Sequence, residues 1–485
     1  MTKKLEKILK NIACQVVGEK NIVINNIHFD SRKIGPGDLF VAIKGTHNDG
    51  HSYINSVIEK GVAAILCESI PENHPEHITF IKVPDSAEAL GIAVSNFFGN
   101  PSGKLRLIGV TGTNGKTSIA TLLYRVASSF GNKSGLISTV RYVVGERETE
   151  ATHTTPDPIA IHSLLRQMAD EGCSHAFMEV SSHAVDQKRI AGLKFDIAIF
   201  TNLTHDHLDY HKTFDAYLKA KKQFFDRLTT DSYALVNIDD RNGRVMVQNT
   251  RAKVKTYGLR SAADFKAKIL ESHFDGMKIM LDNTELWIKL IGEFNASNIL
   301  AVYGAAHLLG YPKEEVLKVI SNLSTVDGRF EYVRSPKGVT AIIDYAHTPD
   351  ALMNVLTTIN QIRGKNSQIF AVIGAGGDRD RTKRPVMAKI TKELCDQLIL
   401  TSDNPRSEDP EAIIREMLEG IAAQERAGVI SIADRKEAIK TACRMAKQGD
   451  VVLIAGKGHE TYQEIKGVKN YFNDKQVVSE IFNAG

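Results

Sequence analysis

The sequence predicts an α/β protein built in three units, with mostly parallel sheets in the second and third. Three observations carry this reading. The chain of 485 residues is too long to fold around one hydrophobic core. Residues 105–126 read as a buried strand, a glycine turn and an amphipathic helix. Beyond about residue 331, five apolar runs of strand length alternate with helix-forming sequence.

The first unit, residues 1–103, has strand-length apolar runs at Leu39–Ile43, Ala63–Cys67 and Ile78–Val83, bounded by Gly, Pro and Asp. Asp85 with Glu88 forms a capping box for a helix over Ser86–Phe98 that buries Leu90, Ala93, Val94 and Phe97. The breaker Gly99-Asn100-Pro101-Ser102-Gly103 marks the first boundary. The second unit, 104–330, continues with strands at Gly135–Val140, Ala176–Val180, Asp196–Asn202 and Tyr233–Ile238. Short strands in succession at Lys266–Leu270, Met277–Leu281 and Leu286–Ile291 predict an antiparallel patch attached to the main sheet. Helices over Ala296–Leu309 and onward to Leu323 close the unit. The third unit, 331–485, has strands at Val339–Ile343, Ile369–Ile373, Gln397–Thr401, Val429–Ile432 and Val451–Ala455. Each is followed by helical sequence, so a doubly wound sheet is expected, with ligands at the carboxyl ends of its strands.

Composition excludes several classes. Hydrophobic residues at 42% and charged residues at 24% are those of an ordinary soluble protein. A net charge of +4 gives no reason to invoke nucleic acid. The five cysteines, Cys14, Cys67, Cys173, Cys395 and Cys443, are odd in number and never in a C-x-x-C pair, which argues against a disulfide framework or thiolate metal site. Met1–Lys10 is rich in Lys and Glu and lacks an apolar leader core, and no apolar run approaches the roughly 18 residues of a membrane span. A cytoplasmic protein with no membrane insertion is expected.

The chemistry concentrates at residues 105–126. Leu105, Leu107, Ile108 and Val110 form the strand, and Ile119, Leu122, Leu123 and Val126 lie on one face of the helix. A helix entered through Gly112, Thr113, Asn114 and Gly115 aims unpaired N–H groups at one point, which suits a di- or triphosphate. Lys116 adds a charge, the Thr117 hydroxyl can ligate the Mg²⁺ that travels with ATP, and Ser118 follows. The usual pattern has glycine where this chain has Val110, so the loop is a variant.

Other segments leave alternatives open. Glu179 ends a strand, from which it either reaches Mg²⁺ or caps the next helix. The run His205-Asp206-His207-Leu208-Asp209-Tyr210-His211 reads as a metal site or as solvated loop histidines, and zinc is disfavoured without H-E-x-x-H. Lys219, Lys221 and Lys222 are either a solvated face or a crowd that lowers one lysine pKa. Gly374-Ala375-Gly376-Gly377 lacks dinucleotide spacing and reads better as a turn presenting Arg379 to an anion.

Together these motifs resemble the Mur ligases of peptidoglycan synthesis over the whole length. The resemblance rests on Asp30-Ser31-Arg32, Gly37–Ala42, Thr111–Thr117, Glu179–His183 and Asp206–His211. It also rests on Asp344–Pro349, Gly376–Asp380, Asp403-Asn404-Pro405-Arg406 and Gly456–Glu460. It implies an N-terminal uridine-nucleotide domain, a central ATPase and a C-terminal dinucleotide-fold domain for the incoming amino acid. It also implies an ADP-forming ligase that adds meso-diaminopimelate to UDP-N-acetylmuramoyl-L-Ala-D-Glu through an acyl phosphate, and a monomer is expected. Ser31, Thr46, His47 and Asn48 would face the UDP part, and His153, Thr154, Thr155, Ser181, Gln187 and Arg189 the sugar-peptide. Asn295, Asn298, Arg329, Asp344 and His347 would complete the ATP site. Thr117 and Glu179 would hold one Mg²⁺, and His207 with a carbamylated Lys221 a second. Arg379, Asp403, Asn404, Pro405, Arg406, Gly456 and Glu460 would bind the amino acid. Rivals are an L-lysine-adding member, a folylpolyglutamate-type ligase, which the Asp403–Arg406 motif opposes, and a nonenzymatic regulator, which the full motif set opposes. Arg406 favours diaminopimelate, because a guanidinium rewards a distal carboxylate and repels an ammonium tip.

Overall fold

A computed structural model describes residues 2–45, 48–206 and 208–483. Short apolar runs in the first segment, the central ones buried nearly throughout, form a five-stranded sheet in the order Gln15–Val17, Thr79–Lys82, Ala64–Cys67, Leu39–Val41, Ile27–His28. Helix Ser86–Phe97 covers one face, and Asp85 caps it by accepting from the Glu88 N–H at 2.9 Å. Leu90, Ala93, Val94 and Phe97 pack there on Leu39, Val41, Leu66 and Ile81, so the helix orients as its periodicity predicts.

The central sheet has eleven strands. Seven run parallel, from Ser134–Ile137 through His175–Glu179, Arg106–Thr111, Ile197–Phe200, Tyr233–Asn237 and Lys253–Gly258 to Phe265–His273. The expected antiparallel patch is Phe265–His273, Gly276–Leu281 and Thr284–Ile288. A second antiparallel edge, Arg141–Val144 with Arg147–Glu150, departs from the expected single strand over Gly135–Val140. Its outer strand is exposed at every residue, so it carries no apolar alternation by which to find it. Helices Lys116–Ser129 and Glu293–Leu308 bury one face of the sheet, and Pro158–Asp170 and Phe214–Asp226 the other.

The parallel register sets the site. Glu179 lies opposite Val110, and Phe200 opposite Thr111, so three strands deliver their carboxyl ends to one edge. The third sheet runs Glu331–Arg334, Thr340–Asp344, Val451–Ala455, Ile369–Ile373, Gln397–Leu400, Ile430–Ser431. It is parallel except for its first strand, which the sequence reading omitted, and its last shrinks to two residues at the edge. A hairpin, Tyr462–Ile465 with Val468–Tyr471, was also not foreseen, because its second strand is wholly exposed.

His162, on helix Pro158–Asp170, is fully buried with Nε2 3.4 Å from the Ala191 carbonyl oxygen. Burial pulls its pKa down to about 4. The unfolded chain takes up this proton below about pH 6.5 while the folded one stays neutral, so this group's contribution falls with pH through that window. Between pH 7.5 and pH 5 it should remove about 2 kcal/mol of stability. Urea unfolding at the two pH values should show a smaller difference in His162→Gln than in the wild type.

Candidate active site

The glycine turn leaves strand Arg106–Thr111 and enters helix Lys116–Ser129. Gly112 has φ +149°, and a Cβ on it would lie 1.8 Å from Thr201 Oγ1, so only glycine lets the loop close on the neighbouring strand end. The loop is fastened there by Thr113 N–H to Asn202 O (2.8 Å), Asn114 N–H to Asn202 Oδ1 (2.9 Å) and Thr201 Oγ1–H to Asn114 O (2.6 Å). Asn202, overlooked in the motif reading, stands two residues after the buried strand Ile197–Phe200 and beside the loop.

Two lysines converge beneath it. Lys116 Nζ donates to Gly112 O at 2.9 Å and Thr113 O at 2.8 Å, and Lys221 Nζ donates to the same Gly112 O at 2.8 Å. Lys221 comes from helix Phe214–Asp226, 1% exposed, with Nζ 4.7 Å from the Tyr217 ring centre. Burial, and next the charge of Lys116, hold its pKa well below the ordinary value. This corrects the sequence reading, which took the crowd to be Lys219 and Lys222. At 3.6 residues per turn those two leave the buried face: Lys219 is exposed and Lys222 pairs with Asp226 at 2.6 Å.

Glu179 is fully buried, and its carboxylate accepts from Thr139 N–H (2.7 Å) and Thr117 Oγ1–H (3.0 Å). It does not cap the following helix; Ser181 does, through Ala184 N–H. Arg329 Nη2 donates to Thr117 Oγ1 at 3.0 Å, tying the linker to the third sheet onto the phosphate loop. The Thr117 and Glu179 oxygens are hard donors at the mouth of the loop, and they fit a small divalent cation that takes its other ligands from phosphate and water. Alongside, Thr155 Oγ1–H donates to Glu179 O (2.8 Å) and accepts from Ser181 N–H (3.1 Å). Thr154 accepts from Thr139 Oγ1–H, and Gln187 accepts from Arg189, whose Nη1 also reaches Thr155 O at 2.8 Å. His153 lines the same wall.

Of the histidine-rich segment, His207 lies outside the described residues. His211 bonds Ser182 Oγ at 2.9 Å, His205 lies 3.9 Å from Asp380, and Asp206 lines the cleft. Among the described residues no group of three or more His, Cys, Asp or Glu is placed to hold a metal.

The opposite wall begins at Asp344, whose carboxylate accepts from Phe330 and Ala346 N–H, both at 2.7 Å. Burial pushes its pKa up despite the nearby Arg329. His347 lines the cleft, and desolvation pulls its pKa down to about 4, keeping the imidazole neutral. Asn298 lines the cleft too, whereas Asn295 lies beneath it, donating to Ile291 O and accepting from Asn298. Asp350, not singled out beforehand, receives a hydrogen bond from Asn114 at 2.8 Å and so joins the third sheet to the loop.

Two turns at the ends of the third sheet stack on each other. A Cβ on Gly377 would meet Pro405 O at 1.9 Å, and Gly377 N–H donates to Asn404 O at 2.9 Å. Arg379, Asp403, Asn404, Arg406, Gly456 and Glu460 line the same cleft. Arg406 pairs with neither Glu408 nor Asp409; Glu408 serves buried Arg384, which holds its carboxyl down at about 2, and Asp409 pairs with Arg415. Asn404 bridges Glu460 (2.8 Å) and buried Lys457 (3.1 Å), and burial, then Asp403, pushes the Glu460 carboxyl up. Lys457, inside the motif Gly456–Glu460 but not among the residues expected from it, is fully buried and also donates to Glu460 at 3.0 Å.

One cavity of about 930 Å³ is lined by Lys116, Thr117, Glu179 and Lys221 from the second unit and by Arg379, Asp403, Arg406 and Glu460 from the third. Ser31 and Asn48 do not line it; they stand in the first unit, where Lys60 Nζ donates to Ser31 O. Thr46 and His47 lie outside the described residues. Gly112, Gln187 and Pro405 shape the walls without lining them.

The family description "Mur ligase family, catalytic domain" matches residues 23–98, "Mur ligase middle domain" 110–306, and "Mur ligase, glutamate ligase domain" 328–458. The chain belongs to the Mur ligase family. It is 56% identical over 480 residues to a UDP-N-acetylmuramoyl-L-alanyl-D-glutamate--2,6-diaminopimelate ligase of Bacteroides thetaiotaomicron, covering 99% of this chain and 100% of that one. It is 43% identical to the protein of the same name from Clostridioides difficile, covering 98% and 99%. A solved structure bearing that name superposes with a TM-score of 0.70 at 31% identity, covering 100% and 99%. The fold is also that of a Thermotoga maritima MurF ligase in complex with ADP, with a TM-score of 0.61 at 20% identity, covering 95% and 97%.

Beneath the carboxyl ends of the third sheet, Arg435 makes a bidentate pair with Asp474, both at 2.8 Å, with each side chain fully buried. Its Nη2 also holds Ala455 O, just before Gly456. Asp474→Ala leaves a buried guanidinium uncompensated and should cost about 3–5 kcal/mol in denaturant unfolding.

Proposed function

We propose that this chain uses ATP to join meso-diaminopimelate to UDP-N-acetylmuramoyl-L-alanyl-D-glutamate in the building of peptidoglycan precursor. The observation that carries the reading is that one cleft holds both the phosphate loop and the Arg406 turn, in a chain 56% identical end to end to a ligase of that name. The free carboxylate of the D-glutamyl residue attacks the γ-phosphorus and ADP departs, leaving an acyl phosphate. The amine of the incoming residue then attacks that carbonyl; the C–N bond forms, the C–O bond to phosphate breaks, and a proton is released. Lys116 and the N–H groups of residues 115–118 offset the charge that otherwise sets these anions apart. Thr117 and Glu179 would hold Mg²⁺, which when bound neutralises phosphate oxygens. Arg189, Thr154 and Ser181 would hold the sugar-peptide, and Asp344 with Asn298 the nucleotide. In this reading the divisions at 103/104 and 330/331 separate uridine-nucleotide, ATP and amino-acid domains. No helix among the described residues is long and apolar enough to cross a membrane, and a monomer in the cytoplasm suits a chain whose substrates are soluble nucleotides.

Lys221 is the group to modify. A buried lysine beside a second ammonium tends to the neutral amine, and its nitrogen can attack CO₂ to give a carbamate and a proton. That converts a cation into an oxygen donor suited to a second Mg²⁺, with His207 as a further ligand. Lys221→Ala should be nearly inactive and partly restored by a small carboxylic acid. ¹³CO₂ labelling should give a carbamate resonance in the wild type that is missing from this variant.

ADP release should require the UDP-dipeptide and be fastest with meso-diaminopimelate in a panel of amino acids. A charge-assisted pair contributes about 1.5–3 kcal/mol, so Arg406→Ala should lower kcat/KM for diaminopimelate roughly ten- to a hundredfold. Activity with L-lysine should fall far less. Preference of the wild type for L-lysine, or an equal loss on both, would refute the assignment.

A further inference from the structure

Arg406 sits in a backbone conformation that a side chain seldom adopts, φ +51°, and it does so at the mouth of the cleft. A strained residue persists only where its surroundings over-determine it. Those surroundings are the inner strand of the hairpin Tyr462–Ile465 and Val468–Tyr471, about sixty residues further on. Gln463 Nε2 donates to Asp403 O at 2.8 Å, and Glu464 N–H donates to Asn404 Oδ1 at 2.9 Å. Arg406 N–H donates to Glu464 O at 3.1 Å, and Lys466 N–H donates to Arg406 O at 2.6 Å. The hairpin thus runs as an extra strand along the turn, and its own reversal at Lys466 and Gly467, φ +51° and +78°, is a tight two-residue turn.

The side chains repeat the pattern. Arg406 Nη1 donates to Gly377 O at 2.7 Å, and Arg406 Nε lies 3.6 Å from the Glu464 carboxylate, the two side chains being 22% and 26% exposed. The guanidinium is therefore fixed at Nη1 and drawn at Nε, which sets the direction of the remaining Nη2 edge. Glu464 does not itself line the cleft. We propose that Glu464 is a specificity-determining positioning residue, which aims the Arg406 guanidinium so that it receives the distal carboxylate of the incoming amino acid. This rests on the reading of Arg406 given above. A surface ion pair without consequence is the alternative, since exposed pairs often contribute little.

A double-mutant cycle separates the two. Glu464→Ala should raise KM for meso-diaminopimelate about fivefold, the upper end for a partly exposed pair, and leave kcat and KM for ATP within about twofold. Glu464→Gln, which keeps an acceptor oxygen, should fall between that variant and the wild type, and it carries the test if Glu464→Ala does not fold. In an Arg406→Ala background, Glu464→Ala should add nothing. An unchanged KM in both Glu464 variants overturns the proposal. So does the same factor in both backgrounds, which would mean that Glu464 acts without Arg406, and so does a matching change in kcat or in KM for ATP, which would mean a general structural loss. If Arg406→Ala by itself leaves KM for diaminopimelate unaltered, the reading of Arg406 fails first and this proposal with it.

Discussion

Two lysine amino groups share one carbonyl oxygen, that of Gly112, and much of the site follows from this crowding. Lys221 is buried and Lys116 lies beside it, so each raises the cost of the other's charge. A polyphosphate over the loop relieves both, and until then Lys221 is biased toward the neutral amine. In the reading proposed above, the same pair that prepares an anion site also prepares a nucleophilic nitrogen. The arrangement depends on Gly112 having no Cβ, because the carbonyl can face the lysines only while the loop lies against Thr201. Parallel register does the rest, bringing the ends of the strands that carry Thr111, Glu179 and Phe200 to one edge of the sheet, so that Glu179 and Asn202, just beyond Phe200, meet the loop.

The carboxyl ends of the third sheet solve a different problem. The turns there are short, yet they hold charged groups against one another. Buried guanidiniums supply the support from below. Arg384 ties Glu408 and Glu416 to Gly376 O, and Arg435 ties Asp474 to Ala455 O. Planar donors of this kind reach several partners at fixed angles, which a lysine does not. The two ends meet through Asn114 with Asp350 and Thr117 with Arg329, contacts made by side chains of the loop itself.

Local chemistry left a legible record. The strand, glycine turn and helix at 105–126 could be read because apolar spacing and turn residues report on contacts within a few residues. So could the Asp85 cap and the alternation of the third unit. The hairpins at 141–150 and 462–471 could not, since an exposed strand needs no apolar face. Nor could the partner of Lys221: neighbours in sequence suggested Lys219 and Lys222, but helix geometry turns Lys219 outward, Lys222 pairs with Asp226, and Lys116 comes in from another element.

By itself the sequence determined the three-part α/β organisation, the phosphate loop and, through motifs from end to end, the membership in the Mur ligases. Residue types in short spacings suffice for these, because each depends on propensity or on groups adjacent along the chain. Only the tertiary structure decided that Glu179 faces Thr117 and Thr139 rather than the helix after it. It likewise decided that Asn295 lies under the cleft and that Arg406 is held by Glu464 rather than by its neighbours Glu408 and Asp409. The contacts of Glu179 and Arg406 join residues about forty to sixty positions apart, set by which strands lie side by side and in what register, and no local pattern encodes that.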